Sequence, residues 1–154
     1  MAGRRDMGSW LDGPGGSRTP VDADAEHPGA RFGRPAQGAG SVASFGRRVV
    51  GLLVDWLLCV LIAQGLLSSV GRPDLMALVV LVTEHVLLVG TLGMTIGHRV
   101  AGIRVETLEG RPPGPARALV RALLLVLVVP PLFTDRDNRG LHDRAAGTLV
   151  LRAP

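Results

Sequence analysis

The chain has 154 residues, enough for one domain of ordinary size, and nearly half are apolar although only 3% are aromatic. A net charge of +4 with a pI near 11.1 would suit a nucleic-acid binder. However, the basic residues, all of them Arg, lie between and around apolar runs, where they act as topology determinants, and no nucleic-acid motif or separate basic domain is present. Cys59 is the single cysteine and lies inside an apolar run, so no intrachain disulfide can form.

Residues 1–44 are rich in Gly, Pro, Ala, Asp and Arg and contain no long apolar run. They cannot bury enough surface to offset chain entropy, which predicts a disordered tail. The tail also lacks the apolar stretch of a secretory signal, so export as a soluble product is not expected. Val49 to Val70 then forms 22 residues with the single charge Asp55. At about 1.5 Å per residue it spans roughly 33 Å, enough to cross a bilayer core. Gly71-Arg72-Pro73-Asp74 makes a tight turn, and Leu75 to Ile96 is a second 22-residue run interrupted by Glu84 and His85. Both runs read as transmembrane helices, joined as an antiparallel hairpin.

Residues 97–121 are polar. Within them, Arg99 to Leu108 carries β-branched residues in partial alternation before Glu109-Gly110, the pattern of a short strand and turn outside the lipid. The third apolar run, Ala122 to Phe133, has 12 residues, or 16 with Ala118 to Val120 and Arg121 included, and ends in Pro130-Pro131, which stop a helix. That length suits a re-entrant helix better than a crossing. Thr148 to Arg152 again resembles a strand. The tail through residue 48 holds seven Arg against five acids, residues 97–121 five against two, and the segment after Phe133 four against three. Arg bias places tail and second loop in the cytoplasm, and a third run that dips and returns puts the C-terminal segment there too.

Charged side chains inside the apolar runs carry the functional signal. An Asp at a membrane-helix centre costs roughly 2.5–3.5 kcal/mol on insertion scales, so it is normally paired or functional. Arg48 and Asp55 stand two turns apart on nearly the same face, which Gly51 and Cys59 share. About 10 Å of rise separates them, so Asp55 needs a further donor unless Arg48 reaches up. In the second run Glu84, Thr91 and Thr95 define a polar stripe beside His85, and Gly93 and Gly97 form a small-xxx-small pair. Two readings stay open. Asp55, Glu84 and His85 form a protonatable path or ion site, or Asp55 serves assembly by pairing with Arg while Glu84 stays neutral on a backbone carbonyl.

Three metal or catalytic motifs fail. Asp135-x-Asp137-x-Arg139-Gly140 starts like an EF-hand loop, but Ala146 stands where a bidentate Glu is required. His142-Asp143 is similar to a pair found in metal phosphohydrolases, yet the chain has four His, one of them in the tail. Glu84-His85 has no His three residues before the Glu, as a zincin needs. No metal, no cofactor and no catalysis are expected.

The same residues resemble the RDD family of small membrane proteins, named for one Arg and two Asp. Phe45-Gly-Arg-Arg-Val-Val-Gly-Leu-Leu-Val-Asp55-Trp looks like its first helix, with Arg48 at the start and Asp55 in the interior. Gly93-Met-Thr-Ile-Gly97 resembles its segment after the second helix, Arg121 its Arg before the last apolar run, and Arg139 to Val150 its closing block with Asp143 as second Asp. The resemblance spans residues 44–152 and implies a membrane domain with a transport role, no set substrate and no enzyme activity.

The expected fold is an all-α membrane protein. It has two full transmembrane helices in a hairpin, a short third hydrophobic helix that is re-entrant or spanning, and a minor β-element at the cytoplasmic face. A tail of residues 1–44 precedes a membrane domain of residues 45–152. Arg48, Asp55 and Asp143 form one charge cluster with His142, and Arg121 is the second cation near Asp55. Glu84, His85, Thr91 and Thr95 are the intramembrane polar groups. The partners are the plasma-membrane bilayer and a second copy or another membrane protein. Two 22-residue apolar runs should make the protein resist alkaline carbonate extraction and require detergent. Full-length chain in the soluble fraction would overturn the membrane reading.

Overall fold

The computed structural model describes residues 27–127 and 137–154. Helix α1 is Phe45–Leu66, and α2 is Pro73–Leu92, packed along it. Both are long and apolar enough to cross a membrane, and most of their surface lies outside the protein's own packing. On α1 the enclosed positions are Gly51, Asp55, Cys59 and Ala63, a row at i+4 spacing. On α2 the matching row is Ala77, Leu81, His85 and Val89. Small residues let the two backbones approach, while Leu53, Leu57, Leu61, Val79 and Leu87 face outward.

Helix α2 is not uniform. Pro73 opens it, and His85–Val89 is a π-helical turn within it. The extra residue per turn shifts the phase of everything after Glu84, so Thr91 faces outward and its hydroxyl bonds the Leu87 carbonyl at 2.5 Å. The helix stops at Leu92, short of the expected Ile96. Gly93 follows at φ 73°, and a Cβ there would lie 2.6 Å from the Val105 carbonyl oxygen, so the position requires glycine. Gly93 and Gly97 therefore bracket a break between two helices and do not share one helix face.

Helix α3, Ile96–Val100, leads into β1, Ile103–Thr107; Arg99 and Val100, expected in the strand, belong to the helix. Helix α4 is Pro115–Val126, α5 is Leu141–Ala146, and β2 is Thr148–Arg152 as the pattern predicted. The two strands pair antiparallel, from Ile103↔Arg152 to Thr107↔Thr148. Val89, Ala101, Ile103, Val105, Ala118 and Val150 make the core where the sheet meets the helices.

Residues 27–44, expected in the disordered tail, are ordered. Ala30–Phe32 is a 3-10 turn, and Val42 bridges Leu151 on the free edge of β2. The Ala43 amide donates to Val150 and the Gly40 amide to Arg152, both at 2.9 Å. The Arg139 guanidinium stacks over Phe32, and Arg34 pairs with Glu106 at 3.3 Å. The composition argument counted apolar burial alone, whereas this arm is held by a strand edge that needs a partner and by ion pairs. The rest of that tail, residues 1–26, lies outside the described residues.

Helix α4 begins seven residues before the expected Ala122, which sets Arg121 in its middle and not at its mouth. Its enclosed residues are Ala118, Arg121, Ala122 and Leu125, one helical face, with Leu119, Leu123 and Leu127 outside. Leu125 packs with Cys59 and Leu81 between α1 and α2. Asp137, by contrast, accepts the Gly29 amide at 3.2 Å and pairs with Arg31, on the side of the sheet. The expected proline stop at Pro130-Pro131 lies outside the described residues.

Candidate functional site

The site begins with a carboxylate in the interior of an apolar helix. Asp55 is fully enclosed, and among the described residues its hydrogen bonds come from neutral groups and not from a guanidinium. Its Oδ1 accepts the Gly97 amide at 2.6 Å, and its Oδ2 accepts the Thr95 hydroxyl at 2.5 Å. Both donors belong to the start of α3. Thr95 is the N-cap residue; its hydroxyl oxygen accepts the His98 amide at 3.0 Å, and the Thr95 amide donates to His98 Nδ1 at 3.2 Å. This is a capping box with His in place of the usual Glu or Gln. Gly97 permits the approach, because a Cβ there would strike the Gly51 carbonyl and come 2.7 Å from the Asp55 carboxyl.

The bond to Nδ1 also sets the histidine's chemistry. A nitrogen that accepts an amide proton carries none, so the neutral His98 ring holds its proton on Nε2. Burial first, and then the nearby charge of Arg121, keep its protonation well below the usual imidazole range.

Arg48 and Arg121 serve the other aspartate. Arg48 Nη1 donates to Asp143 Oδ2 at 2.7 Å, and Arg121 Nε donates to Oδ1 at 2.9 Å. His142 Nε2 stands 3.4 Å from the same Oδ1. Asp143 is completely buried in the first turn of α5, so one carboxylate ties together the start of α1, the middle of α4 and α5. Burial alone would raise its pKa. Arg121, then His142 and Arg48, outweigh burial and hold it well below the usual carboxylate range. The expected cluster of Arg48, Arg121, His142 and Asp143 is therefore assembled, but the expected pairing of Asp55 with Arg48 or Arg121 is replaced by neutral donors.

A third group lies beside Asp55, between the spans. The Cys59 thiol donates to Glu84 Oε2 at 3.5 Å, and the Glu84 carboxyl adjoins that of Asp55. Glu84 Oε1 is buried with no close hydrogen bond among the described residues, and the Ile96 backbone and the Asp55 carboxyl adjoin the group. His85 Nδ1 bonds the Leu81 carbonyl at 3.0 Å, and since a carbonyl only accepts, the proton is on Nδ1 and Nε2 keeps a lone pair. The His85 and His98 rings meet edge to face, 5.9 Å between centroids. Asp55, His85 and His98 are all buried, and their ligand atoms lie within 4.8 Å of one another. Of the expected polar residues, Asp55, Glu84, His85 and Thr95 come together here and Thr91 does not. Sequence reasoning missed His98, whose signal was the Thr95-x-x-His98 spacing just after a helix-ending glycine.

Comparison with known protein families matches residues 42–147 to the RDD family. The chain belongs to the RDD family. The match contains Arg48, Asp55 and Asp143, the residues that resemble the RDD arginine and aspartates. RDD membership together with two apolar helices of spanning length makes this a membrane protein. No curated protein and no solved structure matches the chain.

Two outcomes follow from this RDD geometry. Asp143→Ala leaves two guanidiniums facing a buried gap and should cost about 3–5 kcal/mol of stability in detergent, with Arg48→Lys costing less than Arg48→Ala. The double variant Arg48→Ala/Asp143→Ala should lose less than the sum of its singles, whereas Arg48→Ala/Asp55→Ala should be additive. Coupling in the second pair and none in the first would reverse the assignment.

Acid stability reports the same two groups. Asp143 has a depressed folded pKa, so its contribution is complete above the unfolded value of about 3.9 and is lost as pH falls below it. His98 stays neutral in the fold while an unfolded imidazole takes up a proton below about 6.5, so stability begins to fall there. Thermal unfolding across pH 3–8 should show both phases. Asp143→Asn should remove the lower and His98→Gln should shrink the upper, to which the equally buried, neutral His85 also contributes; phases unmoved by either change would refute this account.

Proposed function

We propose that this chain is a multi-pass protein of the plasma membrane that handles protons, cations or small solutes at the Asp55–Glu84 pair. The observation that carries the reading is Glu84. Asp55 is consumed in fixing α3 and Asp143 in joining three helices, whereas the Glu84 carboxyl has weaker holds, the Cys59 thiol at 3.5 Å, the Ile96 backbone and the adjoining Asp55 carboxyl, and among the described residues no guanidinium pairs with it. A carboxyl inside an apolar span with no structural task is by default a functional group.

The local charges support an exchangeable proton. The adjoining carboxyls of Asp55 and Glu84 repel when both are ionised, so a single proton held between them removes that repulsion. The reaction class is binding and transfer, not catalysis. The arm at residues 27–44, the sheet and the C-terminal segment share one side, which the Arg bias assigns to the cytoplasm. On this topology α4 is re-entrant, entering between the spans while the chain is back beside Gly29 at Asp137. Two spans and a short helix do not enclose a pathway, so transport requires a homo-oligomer or a membrane partner.

Flux of protons and monovalent cations into proteoliposomes tests this reading. Glu84→Gln is the decisive variant, because it leaves the α3 cap and the Asp143 contacts intact. It should elute as folded protein and reduce flux to the empty-vesicle background, with Asp55→Asn impaired as well. Full flux in folded Glu84→Gln sinks the proposed role of the pair. Absence of flux in the wild type favours the alternative, a non-catalytic assembly module in which Arg48, Asp55 and Asp143 are structural.

A further inference from the structure

The structure assigns a second capacity to the same region: Asp55, His85 and His98, with Glu84 alongside, form a binding site for one divalent transition-metal ion of the zinc type. This goes beyond the transport reading, since it holds whether the ion is cargo or a resident of the protein. The three residues come from α1, the π-helical turn of α2 and the start of α3, positions 55, 85 and 98, so no local spacing in the sequence announces them.

The donor set is the first argument. Two imidazoles and a carboxylate, buried and with ligand atoms within 4.8 Å of one another, suit zinc and cobalt better than magnesium or calcium, which prefer all-oxygen shells. Orientation is the second. His85 gives its Nδ1 proton to the Leu81 carbonyl and so presents the Nε2 lone pair, the arrangement in which metal-bound histidines are usually held. Asp55 is fixed by the Gly97 amide and the Thr95 hydroxyl, and each carboxylate oxygen keeps a second lone pair.

Charge and shape add to this. Asp55 in the ligand set and the Glu84 carboxyl beside it supply two negative charges to balance a dication, which matters where water is scarce. Loading displaces the proton between the two carboxyls. Arg121, the cation nearest the cluster, is tied to Asp143 and so does not compete for Asp55. His85 opens the π-helical turn, and such turns concentrate at functional sites.

His98 must change tautomer on loading. In the metal-free protein its Nδ1 accepts the Thr95 amide, which leaves the proton on Nε2. Coordination through Nε2 moves that proton to Nδ1 and breaks the Thr95 bond. What is lost is one long bond of 3.2 Å, set against three coordinate bonds, and the Thr95 hydroxyl still caps the His98 amide. Metal binding is thereby coupled to the start of α3.

The test uses full-length protein in detergent and Co2+ alone as probe. One equivalent should produce a visible ligand-field absorption band, displaced by Zn2+ and not by Mg2+. His85→Gln and His98→Gln should lose the band, Glu84→Gln should weaken it, and His27→Ala should leave it unchanged. No saturable binding by folded wild type, or a band that survives both histidine changes, overturns the assignment. A readout free of variants is nitrogen-15 NMR of the wild-type histidines. Zn2+ should move the His98 proton from Nε2 to Nδ1, and a tautomer unmoved at saturating Zn2+ rejects the site. Both measurements need no flux, so a failure here is distinct from a failure of transport.

Discussion

A carboxylate in the interior of an apolar helix has to find donors, and the arrangement of this protein follows from how Asp55 finds them. The Thr95 hydroxyl and the Gly97 amide reach it only if the chain after α2 turns back against α1. That return requires a break at Gly93, a glycine at position 97 and a bare Gly51 carbonyl opposite. Once α3 is pinned there, β1 starts at the end of the spans, β2 pairs with it, and the arm at residues 40–43 closes the remaining edge of β2. A single buried acid thus fixes where the long apolar helices end and the sheet begins.

The two aspartates take different partners for a reason of dielectric. Asp143 meets Arg48 and Arg121 at the end of the spans, where the Arg48 side chain is still 12% exposed and some hydration persists. Moving Arg48 up two turns to Asp55 would strip a guanidinium of that water, and desolvation of an ion in the interior costs several kcal/mol even after relaxation. Neutral donors carry no such penalty. An amide and a hydroxyl already in place satisfy Asp55, and the partly exposed Arg48 and the buried Arg121 share the one Asp143 anion.

The two long apolar helices, strand β2, the Arg-rich segments and Asp143 as a partner of Arg48 were legible, because each rests on a periodicity, a run length or a charge that one sequence displays, whereas Arg121 was assigned to Asp55 and bonds Asp143 instead. The boundary at Leu92 was not. Residues 93–96 are apolar enough to continue a helix, and only the need of Asp55 for donors takes Thr95 out of it. The π turn at His85–Val89 likewise has no local signature, so the stripe of Glu84, Thr91 and Thr95 was drawn with a helical phase that the backbone does not keep. Arg121 looked like a flanking charge because it precedes an apolar run. It proves to be an interior residue of α4, since Pro115 starts that helix earlier and Asp143 neutralises the guanidinium. The arm at residues 27–44 was read as tail, since backbone pairing to a strand edge leaves no trace in composition.

What the fold accounts for and what it leaves over can be separated residue by residue. Asp55 spends both oxygens on α3, Asp143 spends both on arginines, and His98 spends Nδ1 on the Thr95 amide. Each of these groups is where it is because an element would be misplaced without it. Glu84 has no comparable task. It meets a thiol at 3.5 Å, a weak bond, together with the Ile96 backbone and the Asp55 carboxyl, and no charged partner among the described residues. An acid placed inside a span at a cost of about 2.5–3.5 kcal/mol on insertion scales needs some return, and packing does not supply it. Its neighbours are held in place by their own bonds, so Glu84 and the Nε2 atoms of His85 and His98 are the adjustable groups of a rigid surround. That combination, fixed dipoles around a few uncommitted polar atoms, separates a binding site from a structural ion pair.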